Sequence, residues 1–130
     1  MIEFLRRYQL RKAFRSYIHE LGPALGKRYG VSDQYTLLQI KLTVRHLKLS
    51  VRYLRYAVAL YRHEQSQDCV DLLGIDQPLL EHLRGEVAEA LFHGNIQYRA
   101  THVLAMGKQA GWKGGPPPDW RANRMGMTSL

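Results

Sequence analysis

The sequence predicts an all-α fold, and three observations carry that prediction. Apolar residues recur at a helical period over most of the first 110 positions. Strict apolar/polar alternation of the strand type is absent. Ser, Asp, Asn, Gly and Pro fall where helices need caps and stops. The reading is a single compact helical domain of about five helices over residues 1–110. It contains a helix-turn-helix-like hairpin (residues 35–47 and 50–62) and is followed by a flexible Gly/Pro-rich tail, residues 111–130.

The first helix spans about residues 3–21. Leu10, Phe14, Tyr17, Ile18 and Leu21 share one stripe, Lys12, Arg15 and His19 lie opposite, and Gly22-Pro23 is the expected stop. A short helical turn follows in "PALGKRYG". Ser32 can cap the next helix, which runs to about residue 47. Leu37, Ile40, Val44 and Leu47 face one way and Tyr35, Leu38 and Leu42 nearly the opposite way. A helix apolar on two sides is expected between neighbours, so this one is placed at the centre of the core.

Ser50 can cap the helix to residue 62, where tyrosines and aliphatics sweep most of the circumference and leave a strip of Arg52, Arg55, Ala59 and Arg62. "EQSQ" is a polar break, and "DCVDLLG" a short helical segment ended by Gly74. Asp76 can cap the helix over 77–93, with Pro78 tolerated in its first turn and Leu79, Leu80, Leu83, Val87, Ala90 and Leu91 as its buried stripe. Asn95 can cap a last helix with Ile96, Ala100, Val103, Leu104 and Gly107 inward. Beyond Gly111 no apolar period remains, although Trp112 and Trp120 are a large apolar surface to leave in water.

Size and composition bound the function. A chain of 130 residues buries somewhat under about 70% of its unfolded surface, so it needs neither disulfide nor metal to hold a core. No run of about 18 apolar residues exists, which excludes a transmembrane segment, and the N-terminus lacks the pattern of a secretory signal. Cys69 is the only cysteine, so the expected compartment is the reducing cytoplasm. The net charge of +8 is polarised: residues 1–62 carry +10, residues 63–110 carry −4, and the last twenty carry +2. Such a basic half calls for a polyanion, and equally for an acidic protein or the acidic half of another copy.

Within the hairpin, Arg52 and Arg55 project where a helix-turn-helix contacts bases or phosphates. Arg45, Lys48 and Arg62, with Lys12 and Arg15 of the first helix, complete the candidate nucleic-acid-binding set. Against it stand a turn without the usual glycine, a long first helix, and few Asn, Gln or Ser side chains for reading bases. An antiparallel hairpin with solvated arginines is the plainer alternative. Tyrosines beside arginines in "VRYLRYAVALYR" suit base stacking, but Tyr53, Tyr56 and Tyr61 fall on the apolar sweep expected of a core. The first helix, basic and amphipathic, also has the form of a membrane-surface or groove-binding helix, and more simply of one docked on the core.

His82, Glu86, Glu89 and His93 fall within about 60° of arc on one helix, a composition that suits zinc or iron. Their spacing lets one ion reach two or three of them, and a solvated face is the simpler reading. No catalytic constellation, phosphate loop or activated cysteine is present, so neither an enzyme nor a cofactor is expected.

The run "YTLLQIKLTVRHLKLSVRYLRYAVALY", Tyr35 to Tyr61, with "GPALGKRYG" before it, resembles the central segment of a family of small bacterial proteins of unknown function. The shared features are a Gln followed by an aliphatic residue, then "LKLS", then the tyrosine-rich "YLRYAVALY", all within residues 22–61. The resemblance implies a small helical, cytoplasmic bacterial protein and supplies no activity or site residues. The expected function is binding of DNA or RNA through the arginine strip. The alternative is a helical protein–protein interaction module.

Overall fold

A computed structural model describes residues 2–108, apart from the side chains of residues 2–4 and 6; the expected tail, with Trp112 and Trp120, lies outside the described residues. Seven α-helices appear in it: α1 (Ile2–Ser16), α2 (Gly22–Tyr29), α3 (Leu37–His46), α4 (Leu54–Tyr61), α5 (Gln67–Leu73), α6 (Gln77–Leu91) and α7 (Ala100–Gly107). No strand occurs among the described residues, and the all-α class holds.

Gly22-Pro23 does not stop the first helix. Instead, a π turn over Tyr17–Leu21 joins α1 to α2 without a break. The wider turn sits directly before Pro23, whose ring would crowd the carbonyl four residues back in a regular α-helix. Gly22 has a different task. Its N–H and the Tyr61 hydroxyl both donate to the Tyr17 carbonyl, the latter at 2.6 Å. A Cβ at position 22 would lie 2.7 Å from that hydroxyl oxygen, so glycine is what lets α4 approach.

Three helices start later than expected, and only the first gains a better cap in exchange. Thr36, not Ser32, opens α3: its hydroxyl accepts from the Gln39 N–H while the Gln39 side chain accepts from the Thr36 N–H, a reciprocal capping box. Ser32 instead makes a local turn with Gln34. Ser50 accepts from the Arg52 N–H in a turn, and α4 begins only at Leu54. Asn95 likewise accepts from the Gln97 N–H, five residues before α7 starts. Asp76 caps α6 as expected, and Gly74 ends α5 in the left-handed conformation.

The centre of the core is α4, not α3. Leu54 and every residue from Ala57 to Tyr61 are buried, and α4 packs on α3, α6 and α7. In α3, Leu37, Ile40 and Val44 face inward, but Leu38 and Leu42 are 60% and 42% exposed. Its second apolar face therefore meets solvent rather than a neighbour. The close approach is repeated at α7, where a Cβ on Gly107 would lie 2.6 Å from the Ile18 carbonyl oxygen of the π turn.

Four tyrosines are fully buried, and each spends its hydroxyl on a backbone carbonyl: Tyr17 on Ser50, Tyr35 on Gly30, Tyr61 on Tyr17 and Tyr98 on Ala59. With their hydroxyls spent on backbone, they are core groups, not stacking platforms.

Candidate nucleic-acid interface

The connection between α3 and α4 builds the basic surface. α3 ends in a Schellman motif: the Lys48 N–H donates to the Arg45 carbonyl and the Leu49 N–H to the Val44 carbonyl. Lys48 occupies the left-handed position at φ 58°, which glycine usually fills. The missing glycine of the turn is thus a lysine held in a costly conformation, with its side chain exposed. Arg45 is exposed one turn earlier, on the same side of α3 as Leu38 and Leu42.

Arg52 lies in the turn before α4 rather than on a recognition helix. Its guanidinium donates to Gln9 Oε1 of α1 at 3.2 Å and stands 5.4 Å from the centre of the Tyr53 ring. These groups, with Lys12, Ser16 and Ser50, line a cleft of about 240 Å³ between α1 and the turn. Lys12 and Arg52 therefore converge, while half-buried Arg15 is not among the groups lining the cleft.

The strip does not continue along α4. Arg55 is exposed, but it donates to the Leu73 carbonyl at 2.9 Å, where it meets the last turn of α5. Ala59 is buried. Arg62 is buried too, a correction to the exposed strip of Arg52, Arg55 and Arg62. The chain leaves the helix at Arg62, and its guanidinium turns inward to the carbonyls of Tyr35 (2.8 Å) and Glu64 (2.8 Å). A helical wheel started at Ser50 carries the strip too far, because only eight residues are helical.

Among the described residues, the two ion pairs both join histidine to glutamate: His63 with Glu64, and His82 with Glu86. None of the exposed Lys or Arg side chains is neutralised there by a carboxylate. Glu81 accepts from Gln77, and Glu86 holds His82 at 3.1 Å and accepts from Tyr56 at 2.6 Å.

That arrangement also disperses the histidine–carboxylate ridge. α6 ends at Leu91, and His93 lies beyond it at φ 54°, off the face that carries His82, Glu86 and Glu89. No three His, Cys, Asp or Glu side chains among the described residues come together as a metal set.

Arg84 went unnoticed in the sequence. It is 3% exposed and donates through Nη1 to the carbonyls of Ala59 (3.1 Å) and Arg62 (2.9 Å), and through Nη2 to those of Ile96 (3.0 Å) and Tyr98. Its guanidinium also lies 4.0 Å from the centre of the Tyr98 ring. The signal was present: Leu80, Arg84, Val87 and Leu91 follow a helical period, so an arginine stands inside an apolar stripe.

A family model described as a family of unknown function, DUF6559, matches residues 5–130. The chain belongs to that family. The match includes the segment 22–61 and extends through residues 111–130. No curated protein and no solved structure matches this DUF6559 chain.

Proposed function

We propose that this DUF6559 protein binds nucleic acid through the basic face formed by α1 and the α3–α4 connection, with Lys12, Arg45, Lys48 and Arg52 engaging phosphates. The observation that carries the reading is the convergence of Lys12 and Arg52 on one cleft, by cations that no described carboxylate neutralises. Cations left unpaired by the fold are the groups that release counterions when phosphates replace them. Arg62 belongs to the scaffold, and exposed Arg55 is partly spent on the Leu73 carbonyl. Arg52 lies before α4 and not on it, so the contact is to backbone phosphates rather than to base edges in a major groove. A lone, buried Cys69 suits a reducing compartment, and we read the chain as a cytoplasmic bacterial protein.

Fluorescence anisotropy with labelled duplex and single-stranded oligonucleotides at low salt tests the proposal. Binding is expected, and it should weaken steeply as salt rises. No binding at low salt contradicts it. One observation favours the second reading, an interaction module: Leu38, Leu42 and Arg45 share an exposed face of α3, the pattern an acidic amphipathic partner would meet. Under that reading, substitutions at Leu38 and Leu42 alter partner binding, while oligonucleotides do not bind.

A further inference from the structure

A second cleft, of about 250 Å³, shares no lining residue with the first and is built from the part of the chain with net negative charge. His63 after α4, Gln77 and Glu81 of α6, Arg84, and Gln97 and Arg99 before α7 line it. It is smaller than the roughly 300–1,000 Å³ of pockets that take drug-sized ligands, so its occupant is small.

Its walls hold positive charge that the fold leaves unmet. The four carbonyls around Arg84 satisfy Nη1 and Nη2 but are neutral, and no described carboxylate forms an ion pair with Arg84. A charge removed from water ordinarily has a counter-charge. Arg99 adds a second guanidinium to the same lining. On the same lining, His63 keeps a buried Nδ1 with no hydrogen-bond partner. Burial holds His63 below its usual range, Arg99 and Arg84 add to the effect, and Glu64 and Asp33 oppose it. The one carboxylate on the lining, Glu81, is exposed and accepts from Gln77 Nε2 at 3.1 Å.

We propose that this cleft binds a small oxyanion, a carboxylate or a phosphate monoester, between Arg99, Arg84 and the His63 ring. The Arg99 fork matches the two oxygens of either group, and a ring nitrogen without a partner gains one. The buried Arg84 attracts by its charge, because its Nη1 and Nη2 are spent on carbonyls. Glu81 at the rim repels an extended polyanion, which separates this site from the nucleic-acid face. The inference does not depend on the nucleic-acid reading.

The test is nuclear magnetic resonance of the full chain titrated with inorganic phosphate and, separately, with acetate, chloride keeping ionic strength constant. The expected result is a saturable shift of the His63 ring and of the Arg84, Gln97 and Arg99 signals. Arg99→Gln should weaken it at least about tenfold, and Glu81→Gln, which removes the rim's negative charge, should tighten it. The second variant keeps the test decisive should the first disturb folding. Saturation by phosphate alone or by acetate alone supports the site and identifies its ligand class. No saturable shift with either anion overturns it, as does binding unaffected by both substitutions, or shifts centred on Lys12 and Arg52 instead.

Discussion

Arg84 and Arg52 are the same side chain put to opposite uses. Arg84 is buried, gives four hydrogen bonds to backbone carbonyls and lies on the Tyr98 ring. Arg52 is exposed, touches one amide oxygen and the Tyr53 ring, and shares a cleft with Lys12. The first joins α6 to the end of α4 and to the segment before α7. The second adds little to the scaffold. Formal charge alone therefore does not separate scaffold cations from free ones; the number of backbone groups each one satisfies does. By that measure Arg62 and Arg84 hold the fold, Arg55 is intermediate, and Arg45, Lys48, Arg52 and Lys12 remain for a partner.

The largest expected effect lies on the scaffold side. Arg84→Met should cost about 3 kcal/mol or more in urea unfolding, because each buried carbonyl left without a donor costs about 1–3 kcal/mol. A loss under about 1 kcal/mol would erase the contrast with Arg52. Gly107→Ala should cost about 1–3 kcal/mol, since the new methyl would meet the Ile18 carbonyl oxygen at 2.6 Å and backbone must shift to admit it.

The buried tyrosines predict alkaline instability. Burial pushes Tyr17 up to about 12 and raises Tyr35, Tyr61 and Tyr98 from the usual value of 10.0. A raised folded-state pKa means the native state keeps its proton after the unfolded chain has released it. Their contribution is complete below pH 10.0 and is lost as pH rises through the folded-state values, for Tyr17 between 10.0 and about 12. Each such tyrosine contributes a slope of up to about 1.4 kcal/mol per pH unit within its window. Urea midpoints measured from pH 8 upward should fall once pH passes 10.0. A flat profile there would show that the hydroxyls are not held as described.

Smaller and opposite in sign, Lys48→Gly should stabilise the chain by about 1 kcal/mol by relieving a left-handed non-glycine residue. The same change should weaken oligonucleotide binding. Stabilisation with unchanged binding would remove Lys48 from the interface and keep it as strain alone.

Much of the architecture was legible because its signals are local. Asp76 and Gly74 bound their helices in the sequence as in the structure. Of the stripe expected on α6, Leu80, Leu83, Val87 and Leu91 are buried, Leu79 is half-buried and Ala90 is exposed. The capping box Thr36–Gln39 was equally readable but was masked by Ser32 nearby. What escaped depends on contacts distant in sequence. Gly22-Pro23 looks like a stop until Tyr61 arrives, 39 positions later, to occupy the space a side chain would take. Leu38 and Leu42 look buried because periodicity reports an apolar face and not what covers it. Arg62 followed the wheel of a helix that ends at Tyr61.

The most direct test of the contrast between spent and free cations is the salt dependence of binding to labelled duplex, measured by anisotropy. With Lys12, Arg45, Lys48 and Arg52 engaged, the logarithm of affinity should fall with log salt at a slope of about −3 to −4. Replacing Arg45 and Arg52 together by Ala should reduce that slope by about 2 and change unfolding stability by under about 0.5 kcal/mol. Binding with an unaltered slope in the double variant, or a double variant that unfolds as readily as Arg84→Met, would contradict the account.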